Sequence, residues 1–306
     1  MKIVVTGGSG LIGTALIKEL IERKDDVILF TRNPENSRKI FPKGITPIVW
    51  DGKTIGAWTQ ALGGCDIIIN FSGESIGAKR WTANQKRKIM ESRIDSARVL
   101  IMAIQSMQKK PATLINASAI GIYGDVPEDE ATESYPAGSD FLAEVCKRWE
   151  AEPTKAKTFG TRVVNVRTGI VLALNGGALA RMLLPFKLFL GGPLGSGRQW
   201  FPWIHLQDLI KAILFIIDHP SIEGPVNMAA PDYVRMKDFC NALGKAMHRP
   251  SFAPVPAFVL KVALGEMSTL VLTGVKVIPQ KLLDHHFQFD FPKLETALEN
   301  LFERSE

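Results

Sequence analysis

Cysteine is scarce: three in 306 residues, Cys65, Cys146 and Cys240, far apart along the chain. That spacing excludes a disulfide framework and any CxxC metal site, so reduced thiols and no metal are expected. Long apolar runs are missing as well. Lys261, Glu266 and Lys276 interrupt the greasiest late stretch, so no window approaches the roughly 18 apolar residues that a membrane helix needs. The N-terminal Lys2-Ile3-Val4-Val5 has neither the charged head nor the long apolar middle and small-residue cleavage site of a secretion signal. A soluble, cytoplasmic protein with no membrane partner is expected. Basic residues outnumber acidic ones, 37 to 31, for a net charge of +6, but only short clusters such as Lys79-Arg80 and Lys86-Arg87-Lys88 form. Scattered charge suits a solvated surface around an anionic cofactor better than a nucleic-acid partner, and none is expected.

What the chain does have is alternation. Apolar, β-branched runs at 2–6, 26–31, 46–50, 66–72, 112–118 and 162–172 read as strands, with helical stretches at 11–23, 83–108 and 140–153. This rhythm builds a parallel sheet with helices on both faces, that is, an α/β, doubly wound Rossmann fold. After residue 172 the rhythm breaks into a Gly-, Leu- and Pro-rich stretch, then a helix and a last core strand at Val226-Asn227-Met228. The expected organisation is a dinucleotide-binding domain over 1–172 plus 204–230, and a smaller, mostly helical substrate lobe over 173–203 plus 231–306.

The segment Thr6-Gly7-Gly8-Ser9-Gly10-Leu11-Ile12-Gly13 follows the first strand and opens the first helix, the context a dinucleotide fingerprint requires. Gly7 permits the tight turn, Gly10 lets backbone approach a pyrophosphate, and Gly13 lets helix and strand pack closely. The N–H groups of Leu11 and Ile12 stand at the helix N-terminus, where anions bind. At the end of the second strand, where an acid would bind the ribose 2′-hydroxyl of NAD, the chain has Thr31-Arg32. Arg32 suits a 2′-phosphate, with Arg38 or Lys39 in support, so NADP(H) is the expected cofactor over NAD(H). An exposed loop arginine is the alternative.

TGGSGLIG near the start, INFSGESI at 69–76, RWTANQKRKIMESRIDSARVL at 80–100, SAIGIYG at 118–124, FLAEVCKRWE at 141–150, GGPLGSGRQWFPWIHLQDL at 191–209 and VIPQKLLDHHFQF at 277–289 extend over essentially the full length. Through these motifs the chain resembles the epimerase-family branch of the extended short-chain dehydrogenase/reductases, which is NAD-dependent epimerase-like or sugar-nucleotide-epimerase-like. The resemblance implies that Asn70, Phe71, Ser72 and Gly73 lie against the adenosine and ribose, and that Asp51 ends the third strand near the adenine. The alternative for Asp51-Gly52 is an ordinary turn.

Active members of that superfamily use a Tyr, a Lys four residues on, and a Ser or Thr that polarises the carbonyl. Here Leu142 and Cys146 occupy the Tyr and Lys positions, while Tyr135 is followed by Ser139 and Tyr123 by Pro127. Ser118 falls at or one residue before the carbonyl-polarising position, where the best register puts Ala119. Phe201 replaces the Arg that holds nucleotide phosphates, and Pro202 the acid beside it, which argues against a nucleotide sugar. The candidates left for chemistry are Ser118 and Tyr123 as catalytic groups, with Arg93 and Trp200 binding the substrate. Packing is the alternative for Tyr123 and Trp200, and a surface ion pair for Arg93. His205 and Asp208 read as a structural strand-to-helix corner, with Asp208 as a cap. The resulting expectation is an NADP(H)-binding oxidoreductase or epimerase-like enzyme on a small substrate, as monomer or homo-oligomer. A non-catalytic NADP(H)-binding regulatory or scaffold protein is the alternative.

Overall fold

The computed structural model describes residues 1–303. Its strands are β1 (Lys2–Thr6), β2 (Asp26–Thr31), β3 (Ile45–Val49), β4 (Ile67–Asn70), β5 (Thr113–Ala119), β6 (Val126–Ala131), β7 (Arg162–Thr168), β8 (Ile170–Leu172), β9 (Trp203–His205), β10 (Gly224–Met228) and β11 (Val275–Val277). The main sheet runs β10-β7-β5-β4-β1-β2-β3, all parallel. Strand order reverses between β1 and β4, which opens a crevice at their carboxyl ends.

The α-helices of the described chain are α1 (Leu11–Glu22), α2 (Pro34–Ile40), α3 (Ala83–Ser106), α4 (Phe141–Thr154), α5 (Gly177–Lys187), α6 (Leu206–Asp218), α7 (Met236–Ala246), α8 (Ala257–Leu264), α9 (Thr269–Leu272), α10 (Gln280–Asp284) and α11 (Leu294–Glu303), with four short 3-10 helices between elements. Strand side chains alternate between two cores. Ile3, Val5, Leu29, Ile69 and Val164 pack with Leu16, Ile17, Leu209 and Ile213 from α1 and α6. Val4, Ile28, Ile68, Leu114 and Val163 pack with Val99, Leu100 and Ile104 from α3. Both faces are covered, which is why these strands read as near-continuous apolar runs. Among the described residues no helix is long and apolar enough to cross a membrane.

The structure departs from expectation at several points. The stretch 162–172 is two strands, broken at Gly169, where an added Cβ would lie 2.9 Å from the Pro202 carbonyl oxygen; β8 leaves the sheet and pairs with β9. β6 pairs with β11, although its middle four residues, Pro127 to Glu130, are exposed and carry no apolar pattern. Leu179, Phe201, Phe239, Leu243 and Leu298 belong to a third core that also takes in Leu172 and Ala230, while Leu282 and Phe287 pack with the α1 and α6 side of the main sheet. His205, not Asp208, caps α6, accepting from the Gln207 N–H at 3.2 Å. Asp208 is fully buried and accepts from the N–H groups of Asp290 and Phe291 at 2.7 and 2.9 Å, which ties the returning C-terminal segment to α6. Burial pushes its carboxyl above the ordinary Asp value against the pull of those two bonds.

Candidate functional site

At the carboxyl end of β1 the three glycines play different parts. Gly7 has φ +69°, and an added Cβ would lie 2.5 Å from the Phe71 carbonyl oxygen; only glycine fits. A Cβ on Gly13 would meet Gly7 O at 2.5 Å and Gly8 Cα at 2.7 Å, both backbone. Gly10 is otherwise: with φ −82° and ψ 171° its Cβ would find only Gly7 O, at 3.4 Å. Nothing in the described chain demands a glycine there, and the Cβ direction of this exposed residue is open. α1 has no side-chain cap and no acid in its first turn, leaving the Leu11 and Ile12 N–H groups without a competing anion. Asn70 pins the strand ends together. It accepts from Thr6 Oγ1 at 2.7 Å and from the Ser72 N–H at 3.3 Å, and donates to Asn116 Oδ1 at 2.8 Å. That fully buried side chain is structural.

Arg32 stands exposed just past the end of β2, on the same sheet edge, and forms no salt bridge among the described residues. Arg38 and Lys39 are exposed in the last turn of α2. Asp51 is committed to its own turn. Its carboxylate accepts from the Lys53 and Thr54 N–H groups at 2.8 and 3.0 Å and from Thr54 Oγ1 at 2.7 Å, and these bonds hold it below the ordinary Asp range. Gly52 follows at φ +74°, so the side chain serves the turn reading.

Between the carboxyl ends of β5 and β7, α4 and the small lobe lies a cavity of about 220 Å³. Ala119, Leu142, Cys146 and Trp149 form one wall; Trp200, Phe201 and Thr269–Val271 form the other. Leu142 and Cys146, four residues apart on α4, both line it, so the positions of the missing Tyr and Lys are apolar surface. Burial pushes the Cys146 thiol up to about 12, which keeps it protonated and non-nucleophilic. Phe201 is buried and stacks on Phe239 at 3.9 Å. Trp200 lines the cavity with its edge held by Pro127 O at 3.0 Å and the Arg235 guanidinium 3.4 Å from its ring centroid.

The charged groups lining the cavity are Arg93 and Asp140. Asp140 caps α4, accepting from the Ala143 N–H at 2.8 Å. Among the described residues Arg93 makes no salt bridge, against the surface ion pair that was its alternative. Its Nη1 donates to the carbonyls of Glu74 at 2.9 Å and Ile89 at 3.0 Å, and the guanidinium lies 4.8 Å from the Trp149 ring centroid. Burial lowers its pKa below the ordinary arginine value, yet a guanidinium stays charged at neutral pH. Gly73 makes room for it: an added Cβ would meet Arg93 Cζ at 3.2 Å.

Ser118 and Tyr123, the catalytic candidates of the sequence, do not line the cavity. Successive side chains on a strand face opposite ways; Ala119 faces the cavity, and Ser118 Oγ donates to Glu150 Oε1 at 2.6 Å. Glu150 is bound bidentately by Arg167, at 2.8 and 2.9 Å. Arg167 Nη1 reaches the Tyr123 hydroxyl at 3.0 Å, which donates to Asn227 Oδ1 at 2.6 Å; the Asn227 N–H donates to Glu133 Oε1 at 3.0 Å. Tyr123 is 2% exposed, and burial raises its pKa above 10.0. Burial alone would lower the Arg167 pKa, but Glu150 outweighs it and raises it. This buried network was not anticipated, though a charged residue inside the apolar strand Arg162-Val-Val-Asn-Val-Arg167 was a signal for it.

A family model described as the NAD dependent epimerase/dehydratase family matches residues 3–229, and a domain of unknown function (DUF1731) matches 255–301. The epimerase family protein SH2119 of Staphylococcus haemolyticus is 41% identical over 303 residues, 98% of both chains. The chloroplastic epimerase family protein SDR39U1 homolog of Arabidopsis thaliana is 37% identical, over 97% of this chain and 86% of its own. In structure, the human epimerase family protein SDR39U1 (isoform 2) with NADPH superposes with a TM-score of 0.86 at 32% identity, over 99% of both chains.

Proposed function

Because this chain belongs to the NAD dependent epimerase/dehydratase family, we propose that it is an NADP(H)-dependent oxidoreductase or epimerase-like enzyme acting in the cytoplasm on a small, largely apolar carbonyl or alcohol with an anionic group. The observation that carries this reading is the cavity, largely apolar and lined by one cation, Arg93, which forms no salt bridge among the described residues and whose Nη1 donates to backbone carbonyls. The unobstructed backbone at Gly10, at the uncapped start of α1, supports a pyrophosphate there, and the human relative's structure is with NADPH. In this reading Gly7, Gly10 and Gly13 with the Leu11 and Ile12 N–H groups hold the pyrophosphate, and Arg32 takes the 2′-phosphate. Phe71, Ser72 and Gly73 border the ribose, and the Asp51 turn borders the adenine.

When bound, such a cofactor supplies or accepts hydride at its nicotinamide. The chain's own residues do the rest. Arg93 binds the substrate's anionic group, Leu142, Cys146 and Trp149 exclude water, and Trp200 offers an aromatic face. Asp140 also borders this space, with its carboxylate accepting from the first turn of α4. Loss of a matched Tyr–Lys donor costs about 10²–10⁴-fold in rate, so slow turnover is expected. The test is NADPH oxidation with aryl and alkyl keto acids against the matching neutral ketones. Arg93→Met should raise KM for the acids by about 100-fold and leave the ketones unchanged. Equal treatment of acids and ketones by wild type and variant overturns the assignment of Arg93. The apolar Leu142–Cys146 wall favours a second reading, a non-catalytic NADP(H)-binding protein, for which calorimetry would give tight NADPH binding and no compound would cause its oxidation.

A further inference from the structure

Outside the cleft, the small lobe presents an apolar face that folding does not explain. Most of the chain's strongly exposed large apolar side chains fall in two segments, 184–190 and 252–262. In α8 only Lys261 is not apolar, yet no residue is buried; Phe258 and Val262 are 69% and 74% exposed. The two segments lie side by side. The Ala253 N–H donates to Gly191 O at 3.0 Å and the Val255 N–H to Pro193 O at 2.9 Å, while the Arg249 guanidinium lies 4.6 Å from the Phe189 ring centroid. Phe189 holds φ +62° at the end of α5, a left-handed position normally given to glycine. A bulky residue that is 54% exposed is an uncommon occupant of that region.

Charge indicates what covers it. Residues 169–203 and 239–265 contain no Asp or Glu; their charged residues are Arg181, Lys187, Arg198, Lys245, Arg249 and Lys261. Glu266, the next acid, is paired with Lys86, and Arg80 adds another cation by reaching the Val262 carbonyl at 3.3 Å. A second copy docked symmetrically on this face would set cations against cations. An anionic bilayer surface meets both features, since apolar side chains enter the headgroup boundary while Lys and Arg meet lipid phosphates. We propose that this face docks the protein on an anionic lipid surface. The chain runs from α8 into the cavity wall at Thr269–Val271, so a docked molecule holds its cleft beside the lipid. The expectation of no membrane partner rested on a missing spanning helix, which does not bear on adsorption from one side.

The test is co-sedimentation of the full chain with phosphatidylcholine vesicles, with and without phosphatidylglycerol. Binding should require phosphatidylglycerol and weaken with salt. Phe252→Ser with Phe258→Ser and Val262→Ser should reduce it by about tenfold or more, and Lys187→Glu with Arg249→Glu and Lys261→Glu should do likewise. Because these side chains are exposed or half-buried, melting temperature checks that both variants remain folded. Failure to sediment with either vesicle at low salt overturns the proposal, as does binding that neither variant reduces. A wild-type dimer in solution that the serine variant dissociates, with no vesicle binding, assigns the face to a second copy and also overturns it.

Discussion

The carboxyl end of β1 and the carboxyl end of β5 lie on one sheet edge, two strands apart, and are built from different material. At β1 the site is backbone: a left-handed Gly7, a Gly13 pressed against Gly7 O, and an uncapped helix start with open space over Gly10. At β5 and the facing α4 it is side chains, and there the polar groups have turned away. Ala119, Leu142 and Cys146 face the cavity, whereas Ser118, Glu150, Arg167 and Tyr123 bond to one another in the interior. A site made of backbone survives as long as its glycines do. A site made of side chains can be exchanged residue by residue while the fold stays the same.

The sharpest way to break this comparison is a pair of glycine substitutions. Gly13→Val should destabilise the protein by about 3 kcal/mol or more, because its Cβ meets immovable backbone. Gly10→Val should keep the melting temperature and lower NADPH affinity by about 100-fold, measured by calorimetry, because the branched side chain fills the opening. If both variants melt alike, Gly10 is only a turn. At β5 the next effect is Arg167→Met, which strands Glu150 nearly buried and should cost about 3–5 kcal/mol in urea unfolding. Adding Glu150→Leu should recover part of that loss; no recovery would mean the pair is not what stabilises this region.

Smaller effects sharpen the contrast. Arg32→Asp should weaken NADPH binding by about 10- to 100-fold and leave NADH binding nearly unchanged, since only the 2′-phosphate distinguishes the two. Equal wild-type affinities for the two cofactors would sink that role. Smallest of all, Tyr123→Phe should lower stability by about 1–2 kcal/mol, through bonds lost to Asn227 and Arg167. Turnover per folded molecule should not change; a loss of rate without a loss of stability would return Tyr123 to the chemistry.

The sheet, the glycine loop and the absence of a Tyr–Lys pair were all legible in the chain, because each is carried by neighbours in sequence. Alternating apolar runs mark strands covered on both faces, and Gly7-to-Gly13 spans a single strand-turn-helix unit. Which way a side chain points at a strand's end was not legible. Ser118 meets a carboxylate 32 residues away and Tyr123 an amide 104 residues away, so their roles depend on how α4 and β10 pack. The same holds for β6, whose exposed acidic middle gave no pattern and whose pairing with β11 comes from backbone brought in from the far end of the chain. Local sequence determined where backbone could bend and bury itself. Only tertiary packing decided which side chains face the cavity, because that depends on surfaces contributed by segments that sequence leaves far apart.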